Sequence, residues 1–124
     1  DGRVVYGSLS EGLIMLTLRK RQQLLTALLE DYPEEYIDGY VIDARIDCHC
    51  LSGYIYKALG YDNGELFTAD VECIVRYARR YVVRTHHAAY LIVNFHPQGG
   101  RRSLRETLAI FTRGTALSTP LTRQ

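Results

Sequence analysis

The sequence lacks any run approaching the roughly 20 consecutive apolar residues that span a bilayer, so no membrane partner is expected. It also lacks a charged-then-apolar leader after its first residues, which predicts that no secretory signal is present. Cysteine is scarce, and the three cysteines, Cys48, Cys50 and Cys73, cannot all pair within the chain. A disulfide-framed secreted module is therefore disfavoured, and the reducing cytoplasm is the predicted location.

Tryptophan is absent, whereas tyrosine is abundant, with 10 copies among 124 residues. Exposed tyrosines favour a protein interface, so a protein partner is one expectation. The composition, 47% hydrophobic and 23% charged, is that of an ordinary globular domain. No repeat or low-complexity segment divides the chain, and its length predicts a single domain over residues 1–124.

Charge is distributed unevenly along the chain. Residues 1–65 hold 6 Lys+Arg against 11 Asp+Glu, a net charge of −5, and residues 66–124 hold 9 against 3, a net charge of +6. This asymmetry favours head-to-tail self-association or an anionic partner of the second half. In the alternative, the two halves interleave in space and their charges cancel.

Leucines recur at near-helical spacing early in the chain. They predict a helix over residues 11–31. Ser8 or Ser10 can cap its N-terminus, and Pro33 stops it.

Strands are predicted in two places. β-Branched and aromatic residues over 36–43 predict the first. Residues 46–59 are ambiguous, since they can form another strand to about Cys50 or a short helix over 54–59. The continuous apolar run over 88–93 predicts a strand that is buried on both faces.

Two further helices are predicted in the second half. Thr68 can cap a long helix that has apolar residues on one face. Its other face carries an arginine stripe formed by Arg76, Arg79, Arg80 and Arg84. A Gly-rich loop over 97–102 leads to a third helix, which Ser103 opens and Gly114 ends, and whose inward stripe includes Leu104. Together these elements predict an α/β fold, in which a mixed β-sheet is flanked by helices.

The most specific motif lies between residues 88 and 107. The apolar strand enters Asn94-Phe95-His96-Pro97-Gln98-Gly99, and Ser103-Leu104-Arg105-Glu106 follows. This passage resembles the JAB/MPN (JAMM) metalloprotease fold, in its RadC-like branch. Members of that family place His-x-His-Pro-x-Gly after such a strand and Ser-x-x-Asp at the start of a helix. The resemblance covers about residues 34–121 and implies an MPN/cytidine-deaminase-like sandwich.

The resemblance also implies roles for individual residues. His96, Asn94 and Glu106 stand at the metal-ligand positions of the family. Glu35 stands at the position of the general base, and Ser103 at that of the residue that stabilises the oxyanion. An active site of this kind would hydrolyse an amide or isopeptide bond with zinc-activated water.

At the metal site the sequence departs from the family pattern. Asn94 replaces a histidine, and an amide is a poor zinc donor compared with imidazole. Glu106 replaces the aspartate, and six residues instead of seven separate His96 from Ser103. Zinc is therefore expected to bind weakly or not at all, and the domain is expected to be a pseudoenzyme.

The same residues also have structural interpretations. Ser103 and Glu106 are spaced as a helix capping box. His96 can hydrogen-bond the backbone of its loop, and Glu35 can form a solvated acidic pair with Glu34. RadC-like chains have a glutamate at the start of their middle helix. Glu72, near the start of the predicted second helix, resembles that glutamate.

The arginines suggest a different kind of site. The predicted stripe, together with Arg101 and Arg102 of the Gly-rich loop, can grip phosphates, which is consistent with nucleic acid. No aromatic platform is interleaved with these arginines, and no DNA-binding motif is recognised. A solvated or dimer-facing surface is the alternative.

Cys48-His49-Cys50 invites a metal interpretation. Alternation along a strand would place Cys48 and Cys50 on one face and His49 on the other. Structural zinc sites usually space cysteines two to four apart and add a second pair, which this sequence lacks. Buried free thiols are therefore predicted.

RadC-like domains continue past the third helix into another strand, to which residues 116–121 are similar before the sequence stops. The resemblance thus implies a truncated C-terminal strand. A sheet without its last strand exposes an edge that must be covered, charged or paired, so a homodimer is predicted.

Three functions follow from these observations. The first is a RadC/MPN-like domain with a degenerate zinc site that acts as a non-catalytic binding or assembly module, in a mobile-element or DNA-processing context such as DNA repair. The second is an active zinc-dependent hydrolase with altered ligands. The third is a basic nucleic-acid-binding domain.

Overall fold

The computed structural model describes residues 16–32 and 35–112. They form two helices, α1 (Leu18–Leu29) and α2 (Gly100–Thr112), and six strands. The strands are β1 (Gly39–Asp47), β2 (Cys50–Tyr56), β3 (Glu65–Asp70), β4 (Cys73–Tyr77), β5 (Arg80–Arg84) and β6 (Ala89–Ile92). The predicted α/β class with a mixed sheet is confirmed.

All six strands belong to one sheet, in the order β3-β2-β1-β6-β5-β4. Neighbouring strands are antiparallel except β1 and β6, which run parallel with Val41 opposite Ile92. A parallel bridge between Ala44 and Phe95 extends their contact. The carboxyl ends of β1 and β6 therefore lie side by side, and the loop that carries His96 begins at this end of the sheet.

Hydrophobic side chains cover both faces of the sheet. On one face, Leu24 and Ala27 of α1 pack with sheet residues that include Leu91. On the other, Leu104 of α2 packs with residues that include Val41, so its predicted inward position is confirmed. These side chains are between 0% and 3% exposed. Full burial of one aliphatic side chain contributes about 1.5–3 kcal/mol, so the contacts of both helices with the sheet hold the fold together.

The first helix begins later than predicted. Thr17 is its cap, because the threonine hydroxyl accepts a hydrogen bond from the Lys20 amide at 3.2 Å. A continuous helix from residue 11 is therefore wrong. The predicted caps, Ser8 and Ser10, and the predicted stop, Pro33, lie outside the described residues.

The long helix predicted from Thr68 is wrong. The end of β3 and the β4–β5 hairpin, with a two-residue turn at 78–79, occupy that part of the chain. The spacing of apolar residues misled because strands buried on both faces also carry adjacent apolar residues, as at 74–75 and 82–83. Since these residues are β-branched, they favour a strand. Glu72 therefore does not start a helix, and the similarity to the middle helix of RadC-like chains does not hold at this residue.

Residues 46–59 form the end of β1, a tight turn, β2 and the start of the loop that follows β2, and the short helix considered there is absent from this described stretch. The turn residues Cys48 and His49 have φ values of 52° and 66°, as a type I′ hairpin turn requires. The expected alternation of Cys48, His49 and Cys50 along one strand is therefore wrong. The prediction of buried thiols is wrong for Cys48, which is exposed, while Cys50 and Cys73 are half-buried.

Two predicted strands are confirmed with different ends. The strand predicted over 36–43 starts at Gly39 and continues to Asp47, because β2 pairs with it over that length. The strand predicted over 88–93 is β6. The predicted helix end at Gly114 lies outside the described residues.

Candidate functional site

Asn94, at a predicted metal-ligand position, holds an irregular part of β1. The pairing of β1 with β2 shifts register after Ile42, and Asp43 there has a φ of 56°. The Asn94 Oδ1 accepts a hydrogen bond from the Asp43 amide at 3.0 Å, and its Nδ2 donates to the Asp43 carboxylate at 2.9 Å. Lys20 of α1 forms an ion pair with the other carboxylate oxygen at 2.8 Å. Both ends of the Asn94 amide are therefore engaged within the protein.

His96 lies in the loop between β6 and α2. Its Nδ1 accepts a hydrogen bond from the Gln98 amide at 3.0 Å, and a guanidinium nitrogen of Arg45 lies 3.4 Å from the same atom. The backbone amide of His96 donates to the Ala44 carbonyl at 3.0 Å. The ring thus hydrogen-bonds its own loop, as the structural interpretation expected, and Nε2 is the ring nitrogen available to an external ligand.

Ser103 is the fourth residue of α2, so the predicted capping box with Glu106 is wrong. The helix begins at Gly100, where an added Cβ would lie 2.6 Å from the Ala44 carbonyl oxygen. The Ser103 hydroxyl accepts a hydrogen bond from the Ile46 amide at 3.0 Å and donates to the Gly100 carbonyl at 2.6 Å. Ser103 is buried, whereas Glu106 is exposed. The serine therefore joins α2 to β1.

Glu35 lies against the β4–β5 hairpin. Its carboxylate forms an ion pair with Arg84 and accepts a hydrogen bond from the Tyr77 hydroxyl at 3.0 Å. The Glu35 side chain is 6% exposed, so the interpretation as a solvated acidic pair is wrong for this residue. Hydrogen bonding to Glu35 raises the pKa of the Arg84 guanidinium above its ordinary value. The structure thus places Glu35 with Arg84 and does not bring it to His96.

In the described ranges, no group of three or more His, Cys, Asp or Glu side chains is placed to hold a metal ion. Of the donors that the resemblance implies, Asn94 turns its side-chain oxygen towards the Asp43 amide. His96 and Glu106 line adjoining cavities. In this arrangement the donor set does not match the three protein ligands of a catalytic zinc site.

The predicted arginine stripe is divided between the two faces of the sheet, because side chains alternate along a strand. Arg80 and Arg84 lie on the face that α1 covers. Arg80 pairs with Glu30 at 2.9 Å, as Arg84 does with Glu35. The hydrogen bond from Arg80 lowers the pKa of Glu30. Two of the predicted phosphate-binding arginines are therefore already paired with carboxylates.

Aromatic rings lie between two other arginines. The guanidinium of Arg76 is 5.6 Å from the centre of the Tyr81 ring, and that of Arg101 is 5.0 Å from the centre of the Phe95 ring. The two rings meet edge to face with their centres 6.0 Å apart. These four residues form what we term the arginine–aromatic row. The expectation that no aromatic platform is interleaved with the arginines is wrong.

Three cavities adjoin at the carboxyl ends of β1 and β6. The largest, of about 840 Å³, lies between α1 and the β4–β5 turn and reaches Arg101. The central cavity, of about 380 Å³, contains His96, and the third, of about 550 Å³, lies beside Arg45. Arg101 lines both the largest and the central cavity, and Arg102 lines both the central and the third cavity. We term the three cavities together the basic groove. Its arginines are Arg19, Arg45, Arg79, Arg80, Arg101, Arg102 and Arg105.

Sequence reasoning did not select Arg19, Arg45 or Arg105. Arg105 follows Arg101 by four positions and Arg102 by three, a spacing that brings side chains together on a helix, so the sequence carried a signal for it. Arg19 and Arg45 reach the groove only through the packing of α1 and the path of β1. No local pattern marks them.

Comparison of this chain with protein-family models, with curated proteins and with solved structures gives no match. The resemblance to the JAB/MPN family therefore stays a prediction. Within the part of the chain that the structure describes, no helix has the length and apolar character to cross a membrane. The class that fold and site define is an α/β domain with a basic groove at the carboxyl ends of its two parallel strands.

Proposed function

We propose that this chain is a RadC/MPN-like domain with a degenerate zinc site that acts as a non-catalytic binding or assembly module. The observation that carries the proposal is the position of Asn94. Its amide fastens the irregular part of β1 through two hydrogen bonds with Asp43. A residue engaged in this way supports the backbone of the fold instead of contributing a metal donor.

The proposal includes an MPN/cytidine-deaminase-like sandwich as the finer architecture. The order of β6, the His96 loop and α2 agrees with the order that the resemblance implies. The position of this loop at the end of a parallel strand pair also supports it. The β4–β5 hairpin, in place of a middle helix, is a departure from the expected pattern.

The other predicted catalytic residues also support a non-catalytic role. A general base must offer a free carboxylate to the proton that it removes, yet Glu35 is held by Arg84 and Tyr77. The hydroxyl of Ser103 is buried between α2 and β1. An active hydrolase would require each of these side chains to leave its partners.

Zinc content tests the proposal directly. Protein purified without chelator is expected to contain far less than one zinc per chain, and His96→Ala is expected to leave that content unchanged. The measurement is elemental analysis of both proteins together with His86→Ala, which removes an exposed histidine elsewhere. Near-stoichiometric zinc that is lost in His96→Ala and kept in His86→Ala would contradict the pseudoenzyme and support the hydrolase.

A further inference from the structure

We propose that the basic groove binds the phosphodiester backbone of a single-stranded nucleic acid, with the central cavity as its anchor. This inference rests on the proposed function, because it names the ligand class of a binding module. The bound strand would pass the His96 loop at the carboxyl ends of β1 and β6. In open α/β sheets, crevices at the carboxyl ends of the strands are where ligands bind.

The central cavity concentrates positive charge. Arg101, Arg102 and Arg105 line it, together with Phe95 and His96, and none of its described lining residues is acidic. The three arginines are exposed, and no carboxylate among the described residues forms an ion pair with them. Guanidinium groups that line one cavity repel one another, so an anion that enters the cavity relieves the repulsion. Their planar forks match the oxygens of a phosphate.

Carboxylates lie only in the outer cavities. In the largest cavity these are Asp31 and Glu30, of which Glu30 is already held by Arg80 and by the Tyr32 hydroxyl at 3.0 Å. In the third cavity, Asp47 and Glu106 line the wall together with Arg45 and Arg102. The positive potential is therefore strongest in the middle of the groove.

The length of the groove favours a chain of phosphates over a single phosphate ion. From the central cavity it continues through Arg101 towards Arg79 and through Arg102 towards Arg45. A free phosphate can occupy one cavity only. A nucleic-acid strand carries one negative charge for each nucleotide, so it contacts adjoining cavities simultaneously.

The arginine–aromatic row favours a nucleic acid over an acidic peptide. Phe95 lines the central cavity, and Arg101 lies over its ring. Tyr81 and Arg76 continue the row across the sheet. Rings and guanidinium planes beside a basic groove offer surfaces on which unpaired bases stack, whereas the carboxylates of an acidic peptide have no ring that stacks there.

Fluorescence anisotropy with a labelled oligothymidylate and the full chain tests this inference. We expect binding at low salt that weakens as salt rises, with a slope of about −0.7 for each phosphate contacted. Combining R101Q, R102Q and R105Q is expected to weaken binding by about tenfold or more and to reduce the slope by about 2. R102K, which keeps the charge but loses the fork, is expected to fall between wild type and R102Q.

Lys57→Gln is the matched control for R102Q, because it removes one positive charge at a distant site. Lys57 is exposed and follows β2 at the end where Tyr56 pairs with Tyr40, at the start of β1. This variant is expected to bind as wild type does. Circular dichroism on each variant tests whether the fold is retained. We expect it to be retained, because the three arginines of the central cavity are exposed.

Competitors distinguish the other ligand classes. Inorganic phosphate that displaces the oligonucleotide at equal phosphate concentration would assign the groove to small anions. If polyglutamate displaces the oligonucleotide equally well, the groove would be assigned to acidic proteins. Tighter binding of a duplex of the same length would exclude the single-strand assignment. Absence of binding at low salt, or binding that the triple variant retains, would overturn the inference and leave the zinc result as the separate test of the proposed function.

Discussion

For single residues, two positions that the JAMM resemblance marks, Asn94 and Ser103, serve the backbone of the fold. Beyond the end of β6, the backbone of Asn94 and His96 still pairs with Ala44, whereas side chains bond the amides of Asp43 and Ile46. The Asn94 Oδ1 accepts a hydrogen bond from the Asp43 amide, and the Ser103 hydroxyl accepts one from the Ile46 amide. These polar side chains therefore replace strand ladder bonds where the parallel pair ends.

Asn94→Ala is expected to destabilise the domain by about 1–3 kcal/mol, because the Asp43 amide and one oxygen of the Asp43 carboxylate lose their hydrogen bonds with Asn94 in a part-buried place. Equilibrium urea unfolding, followed by circular dichroism, measures the change. Asn63→Ala is the control, since the Asn63 Oδ1 accepts the Lys57 amide in an exposed loop where water can replace it. Equal losses in the two variants would contradict the role assigned to Asn94.

Among the secondary-structure elements, the β4–β5 hairpin decides the second half of the fold. Its tight turn places Ala78 at a φ of 52°, a conformation that costs an L-residue about 1–2 kcal/mol. Pairing of β5 with β6 on one side and with β4 on the other offsets that cost. The hairpin also carries Arg79 to the groove and Arg84 to Glu35. The hairpin form of this segment therefore determines where Arg79 and Arg84 lie.

Ala78→Gly is expected to stabilise the domain by up to about 1 kcal/mol, because glycine adopts positive φ without the clash of a Cβ. Ala78 is exposed, so the substitution removes no core contact. Ala69→Gly within β3 is the control with opposite sign, since glycine in a strand destabilises by roughly 0.5–1 kcal/mol. Thermal and urea unfolding of both variants measure the changes. A loss of stability in Ala78→Gly would show that the turn conformation is wrongly assigned.

For the domain as a whole, the two oppositely charged halves of the sequence meet within the sheet, where β1 pairs with β6 and β2 with β3. Acidic residues of the first half pair with basic residues of the second, as in Glu30 with Arg80 and Glu35 with Arg84. The alternative in which the halves interleave and cancel therefore applies in part. The arginines of the central cavity keep the positive excess of the second half at one end of the sheet.

A homodimer stays a prediction, and the edge strands show how it would form. The sheet ends on β3 and β4 in the described ranges. In antiparallel self-pairing of β3, Glu65 would lie opposite the second copy's Asp70, so like charges would meet. Self-pairing of β4 would instead bring Arg76 opposite Ile74. We therefore expect β4 to pair with β4 of a second copy.

Light scattering coupled to size exclusion is expected to show a dimer at tens of micromolar. Because Tyr77 and Arg80 close a two-residue hairpin, the amide of Arg76 points to the open edge. Arg76→Pro removes that donor and is expected to give a monomer. Arg76→Ala, which loses the same guanidinium but keeps the amide, is expected to remain a dimer. A monomeric wild type would remove the prediction.

Much of the fold was predictable from local patterns. The apolar run of β6 needed only its own residues, as did the leucines of α1 and the inward position of Leu104. The β4–β5 hairpin was not predictable in the same way, since its apolar spacing fits a helix as well as a strand. Pairing with β6, a neighbour supplied by the tertiary fold, stabilises the strand form. The turn at Cys48 was missed because neither turn residue is the asparagine or glycine that usually marks positive φ.

The candidate site was likewise predictable from the sequence only in part. Residue identities alone indicated that Asn94 breaks a metal pattern and that arginine is concentrated in the second half. The partners of those residues depended on the tertiary structure: Asp43 lies 51 positions from Asn94, and Arg84 lies 49 positions from Glu35. The arginine–aromatic row and the basic groove likewise join several elements of the fold. Sequence patterns report periodicity and chemistry along the chain, whereas the neutralisation of a charge or the engagement of an amide depends on which groups folding brings within a few ångströms.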